Sequence, residues 1–209
     1  MNTSRQLNKK QLDELLYQAL ETEIGGISVY ENAIACALNN NLRKEWNDYL
    51  DETRNHREIL LQVFAEIGLD PAKRTPGRNV LKHIAESLVV AMQMARTEGS
   101  PEAAQLVACE CVINAETKDH MNWELIGKCA KDTDEPNNPV LLAAYEKVEP
   151  DEDHHLYHTK GWARELWIES LGMPAVIPPP EELRQVETAI GAAKAGKART
   201  NILHAQGKL

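Results

Sequence analysis

Between residues 8 and 38, apolar side chains return alternately three and four positions apart: Leu12, Leu16, Leu20, Ile27, Tyr30, Ile34 and Ala37, with Glu23 in the same phase. This period predicts an amphipathic helix, closed by the turn-forming asparagines that follow it. A second stripe, Leu42, Trp46, Tyr49, His56, Leu60, Val63 and Ile67, predicts a helix over 41–67 that stops at Gly68 and Asp70-Pro71. A shorter helix over 78–97 turns Leu81, Ile84, Leu88, Met92 and Ala95 inward. Gly99-Ser100-Pro101 reads as a stop, an N-cap and a proline in the first turn. The helix that follows, to about 131, carries Leu106, Cys109, Ile113, Glu116, His120, Trp123, Gly127 and Ala130 on one face. A last long helix, to about 170, carries Leu141, Tyr145, Val148, Glu152, His155 and Trp162, and Pro150 is expected to kink or break it.

Four long helices with a helical crossover between the second and third predict an all-α four-helix bundle over residues 8–170. Residues 171–209 add the stiff linker GMPAVIPPP, a short surface helix over 181–196 and a tail expected to be mobile. No second folded domain is expected.

Composition narrows the function. The net charge is -9 with no basic stripe, which argues against nucleic acid as a partner. No apolar run is long enough for a membrane span, and the N-terminal MNTSRQLNKKQLDELL has no apolar core of a signal peptide. Cys36, Cys109, Cys111 and Cys129 fall within helical patterns, as reduced, buried thiols of a cytoplasmic protein would. Cys109 and Cys111 are two apart and so point to different sides of a helix, which weakens them as a metal or redox pair.

The chemistry lies in polar residues that interrupt the apolar stripes. Glu23, His56, Glu116, His120, Glu152 and His155 are all in phase with the core, and Glu52 borders it one turn before His56. His154 and His158, by contrast, are expected at the helix surface. Ionised carboxylates inside a bundle require pairing or a metal. These glutamates have only histidines as neighbours, whereas two cations would neutralise them. Carboxylate and imidazole donors together suit iron, manganese or zinc.

The spacing also repeats. Glu23, Tyr30, Glu31 and Cys36 align with Glu116, Trp123, Glu124 and Cys129, and each set is followed by an Asp-Glu and a His: Asp51-Glu52 with His56, and Asp151-Glu152 with His155. Tyr30 and Trp123 read as packing residues, Glu31 and Glu124 as solvated or outer residues.

With these motifs the chain resembles the ferritin-like di-iron or di-manganese carboxylate proteins of the rubrerythrin and bacterioferritin kind, and is most similar to the YciF-type branch through YLDETRNHREILLQVFAEIGL, the crossover helix and AAQL. Glu152-Asp153-His154-His155 matches the family's Glu-x-x-His motif. The resemblance implies two iron ions, with manganese, a mixed iron–manganese pair or zinc as alternatives. Glu23, Glu52, His56, Glu116, Glu152 and His155 would ligate them, and dioxygen or hydrogen peroxide would react there to oxidise iron or a small substrate; a manganese catalase belongs to the same class. A homodimer is the expected assembly.

Two departures stand out. In the second helix, Thr53 occupies the place three residues before His56, so either a π-bulge restores the register or Glu52 reaches in from the side. His120 is an extra polar residue that could be a ligand, a partner of a ligand or a buried histidine. The competing readings are a metal-binding bundle without turnover and a metal-free bundle acting in stress or interaction.

Overall fold

The protein is described by a computed structural model over residues 7–208. The N-terminal leader reading bears partly on residues 1–6, which lie outside the described residues. Seven helices and no strand occur among the described residues: α1 (Lys9–Cys36), α2 (Asn40–Ile67), α3 (Pro76–Glu98), α4 (Pro101–Asp132), α5 (Asn138–Ser170), α6 (Pro180–Leu183) and α7 (Ala189–Ala205). No helix among them is long and apolar enough to cross a membrane.

The helix starts follow capping chemistry. Asn8, Asn39, Thr75 and Ser100 each accept hydrogen bonds from backbone N–H groups of the first turns of α1 to α4. Gly68, in the left-handed region at φ 76°, closes α2. Pro150 does not break α5, which runs unbroken from 138 to 170. Pro150 and Glu146, whose carbonyl loses its partner, are both exposed, so water can take the freed acceptor.

Helix α1 packs on α2 and α4, and α5 packs on α4 and α2, closing a ring of four long helices; α3 lies outside, against α1 and α4. Neighbours in the ring are antiparallel. The start of α4 meets the end of α1 through Gln105 Oε1, which accepts from Leu38 N and Asn39 N at 2.7 and 2.8 Å. The start of α2 meets the end of α5 through Trp162 Nε1, which donates to Glu45 Oε2 at 2.5 Å. A buried ion pair, Arg78 to Glu21 at 2.8 Å, ties α3 to α1.

The core is two apolar clusters rather than one. Val29, Tyr30, Trp46, Leu50, Val112 and Trp162 belong to the first, with Leu16, Leu20, Leu60, Phe64, Trp123 and Val148 among the second. Along each ring helix the buried residues between the clusters are mainly polar, with exceptions such as Gly26 and Leu156: Glu23 on α1, Thr53 and His56 on α2, Glu116 and Asp119 on α4, Glu152 and His155 on α5. A polar layer therefore crosses the middle of the bundle.

Two expectations change here. Ile84, placed inward on α3, is 46% exposed, because α3 rests on the outside of the ring and buries little beyond Met92 and Arg78. In the C-terminal region the helix expected over 181–196 is instead α7, which reaches Ala205 and buries Ala195 and Leu203, and Ala175 and Val176 ahead of it are buried too. Arg164 to Glu181 (both bonds 2.8 Å) and Arg199 to Glu165 (2.9 and 3.0 Å) fasten this extension to α5.

At the level of Glu23, α3 comes so close to α1 that a Cβ on Gly25 would stand 2.5 Å from Ala85 Cβ. Gly25→Ala should therefore push α3 outward and cost about 1–3 kcal/mol. Urea unfolding followed by circular dichroism should show a lower midpoint with an unchanged slope.

Candidate metal centre

The polar layer gathers side chains from all four ring helices. Glu23, His56 and Glu152 form one group whose ligand-type atoms lie within 4.8 Å of one another, and Glu116, Glu152 and His155 form a second. Glu152 belongs to both. All five residues are at most 3% exposed.

The two imidazoles are held alike. His56 Nε2 lies 3.0 Å from Asp151 Oδ2, while its Nδ1 faces Glu152 Oε1 at 3.1 Å and Glu23 Oε1 at 3.9 Å. His155 Nε2 lies 2.8 Å from Glu52 Oε2, while its Nδ1 faces Glu116 Oε2 at 3.5 Å and Glu152 Oε1 at 3.8 Å. Each ring can donate its Nε2–H outward to a carboxylate, which leaves the Nδ1 lone pair pointing inward. This is the arrangement that orients a metal-ligating histidine. The two rings stack with centroids 5.7 Å apart.

On the inner side, hydrogen bonding stops. Glu23 Oε2, Glu116 Oε2, Glu152 Oε2 and the Nδ1 atoms of His56 and His155 are buried with no hydrogen-bond partner among the described residues. Leaving one such group unsatisfied costs about 1–3 kcal/mol, and more if it is charged. The donor set is oxygen and imidazole nitrogen without thiolate, which fits iron, manganese or zinc.

The charges strain against each other. Burial pushes the Glu23 carboxyl well above its usual range, and the charges of Asp119 and Glu152 add to it, against a 2.8 Å hydrogen bond from Trp123 Nε1. Glu152 is raised by burial and by Glu116, against the pull of His56 and His155. Burial disfavours the His56 and His155 imidazoliums, but the carboxylates around them outweigh it, and both rings hold protons more tightly than free histidine. Without a cation, the layer balances itself by keeping protons.

The remaining candidates fall into place around this centre. Helix α2 is α-helical throughout, so no π-turn brings Glu52 inward. Glu52 lies in neither group; it is half-exposed and braces His155 from outside. Thr53 takes the inward place, 3% exposed, with its hydroxyl donating to Tyr49 O at 2.8 Å. His120 lies outside both groups, its Nε2 2.8 Å from Asp153 Oδ1. Tyr30 and Trp123 are fully buried packing residues, and Glu31 and Glu124 are exposed. The four cysteines are free, and none belongs to the centre.

Two acidic residues were not foreseen as parts of the site: Asp119, buried one turn beyond Glu116, and Asp151, behind His56. The three-residue offset from Glu116 was the available signal for Asp119.

His158 is also a correction. Expected at the surface, it is 3% exposed because α6 and the chain after it cover that face of α5. Its Nε2 donates to Val186 O at 3.0 Å, and its Nδ1 meets Glu182 Oε2 at 2.8 Å and Glu45 Oε1 at 3.4 Å. Glu45, His158 and Glu182 also lie close enough together to hold a cation. Here, however, both ring nitrogens are engaged, and a proton on Nδ1 suffices. Burial alone would lower this imidazole, but the bonds to Glu182 and Glu45 outweigh it and hold its pKa up at about 9, against 6.5 for free histidine.

Because the folded-state value is the higher one, the anchoring is complete below about pH 6.5 and is lost as pH rises through about 9. Amide exchange in α6 and α7, corrected for intrinsic rates, should accelerate over that window. His158→Gln should abolish the pH dependence. In comparisons with known proteins, no family model, curated protein or solved structure matches the chain.

Proposed function

We propose that the protein is a ferritin-like dinuclear metal carboxylate protein, with iron as the favoured metal, that reacts with dioxygen or hydrogen peroxide. The observation that carries this reading is the orientation of the two histidines. Each is braced from outside by a carboxylate at Nε2, and each turns its Nδ1 inward toward buried glutamates, Glu23 and Glu152 for His56 and Glu116 and Glu152 for His155, each of which keeps an Oε2 without a hydrogen-bond partner among the described residues. The three Oε2 atoms left without partners are what a fully satisfied hydrogen-bond network would not leave.

Glu23 and His56 would hold one ion, Glu116 and His155 the other, and Glu152, common to both groups, would lie between them. A pair of iron ions held this way supplies two-electron redox chemistry toward dioxygen or peroxide. The chain's own residues set the conditions for it. Asp151 and Glu52 fix the imidazole tautomers and keep the rings from turning. Trp123 Nε1 holds Glu23 Oε1 and leaves Oε2 free.

Tyr30 stands edge-on to His155, with ring centroids 6.0 Å apart. Burial, with the charge of Glu116, raises its phenol well above the usual range, so Tyr30 Oη keeps its proton and can serve as a hydrogen-bond donor beside the centre. A cavity of about 40 Å³ opens between α1, α3 and α4, lined by Gly25, Gly26, Val29, Leu88 and Ala115. Thr22 and Ala115, the chain neighbours of Glu23 and Glu116, reach its wall. Its size suits a diatomic molecule or peroxide better than a bulky substrate.

Elemental analysis of the purified protein, after reconstitution with ferrous iron under nitrogen, should give about two equivalents. Glu116→Ala and Glu152→Ala should each lose at least one of them. Admitting oxygen should then produce a near-ultraviolet absorbance change in the wild type alone. Bound metal without that change would point to a binding role without turnover. No metal in a folded wild type would sink the proposal.

A further inference from the structure

We infer that Asp119 is a further metal ligand, so that α4 supplies two carboxylates to the dinuclear centre and α2 supplies none. This inference rests on the dinuclear reading above and adds to it the residue that completes the donor set.

The first observation is a buried carboxylate without a reason to be there. Asp119 is 4% exposed in the middle of α4, far from either helix end, and its Oδ1 has no hydrogen-bond partner among the described residues. The nearest cation along the chain, Lys118, is turned away, with its Nζ bonded to Asn122 Oδ1. An ionised carboxylate in such a place normally pairs or binds metal. Asp119 stands one helical turn beyond Glu116 on the same face of α4, in the same buried layer, with its oxygens just outside the two three-residue groups.

The second observation is the internal repeat. Glu23 on α1 corresponds to Glu116 on α4, and His56 on α2 to His155 on α5. Three residues before each histidine stand Thr53 and Glu152, and three residues after each matched glutamate stand Gly26 and Asp119. One half thus carries the pair Gly26 and Thr53, and the other the pair Asp119 and Glu152. In the first half the two small residues close on each other, and a Cβ on Gly26 would sit 3.3 Å from Thr53 Cγ2. The carboxylate that Thr53 does not provide reappears on α4.

The third is charge. Glu23, Glu116, Asp119 and Glu152 are the buried carboxylates of the layer, and with two neutral imidazoles they carry four negative charges. Two divalent cations cancel that number. Without Asp119 the layer would carry a net positive charge when loaded, and with Asp119 but no metal it must hold protons. The bland alternative is an Asp119 that stays protonated and shares its proton with Glu23, whether or not metal is bound.

Cobalt(II) titration of the metal-free full chain separates these. Visible absorption would report stoichiometry and coordination, and calorimetry the affinity. The wild type should take up about two equivalents. Asp119→Asn, which keeps the shape and removes the charge, should weaken one ion by about 100-fold or more and change the cobalt spectrum, since even residues one shell further out are worth about 10–100-fold. The same variant without metal should melt at the wild-type temperature or higher, because an unpaired buried charge is gone. Should Asp119→Asn fail to fold, Asp119→Ala serves for the same titration.

Two equivalents bound to either folded variant with wild-type affinity and spectrum would overturn the assignment of Asp119 and leave the dinuclear reading standing. A folded wild type that binds no cobalt would overturn both.

Discussion

The arrangement of this bundle turns on one constraint: a layer of carboxylates and imidazoles lies across the centre of an otherwise apolar interior. Moving an ionised carboxylate out of water costs several kcal/mol even after relaxation, and the layer contains several such groups within reach of one another. Their stability depends on what sits between them. With protons alone, acidic groups and histidines both have to titrate away from their usual ranges, as the raised Glu23, Glu152 and His155 show. With divalent cations, each donor keeps its ordinary charge state. Binding and folding are then coupled, and loading the centre near neutral pH releases protons.

The rest of the chain can be understood as support for that layer. The two apolar clusters lie on either side of it, so each ring helix is pinned by packing above and below the polar turn. Such clamping is what fixes side chains closely enough for coordination. The next shell is built from carboxylates nearer the surface. Asp151 and Glu52 both touch water, yet each can fix which nitrogen of a buried ring carries the proton. The C-terminal extension adds a third level. Through Glu181, Glu182 and Arg199 it covers the outer face of α5, the helix that supplies both Glu152 and His155.

How much of this was legible in the sequence follows from period and phase. The helices, their ends and the inward phase of Glu23, His56, Glu116, Glu152 and His155 could be read because a 3.6-residue period fixes azimuth over many turns. What failed were places where a second surface or a second helix decides. His158 is off the bundle face, and only the folding back of residues 171–208 buries it. Ile84 is on the apolar face of α3, but that helix has half a partner. Glu52 carried the right residue type beside the right stripe. Its azimuth, one position before Thr53, directs it to the rim, where it can only reach the back of His155. Asp119 was hidden for a different reason: attention to aromatic and glutamate spacing passes over an aspartate three residues on.

The two halves of the centre are not equivalent, and that asymmetry follows from a few residues. In an exact repeat, α2 would mirror α5 and offer an inward carboxylate three residues before its histidine. Thr53 instead turns its hydroxyl back to its own helix and packs against the backbone of α1 at Gly26. The α1–α2 side of the layer is therefore close-packed and carries one buried carboxylate, Glu23, and the α4–α5 side carries Glu116, Asp119 and Glu152. The buried carboxylates are concentrated on α4 and α5, Tyr30 lies on α1, and the small apolar cavity opens between α1, α3 and α4. The asymmetry of the layer thus comes from four positions, Gly26 and Thr53 on one pair of helices and Asp119 and Glu152 on the other, with the small residues closing the space that a further carboxylate would need.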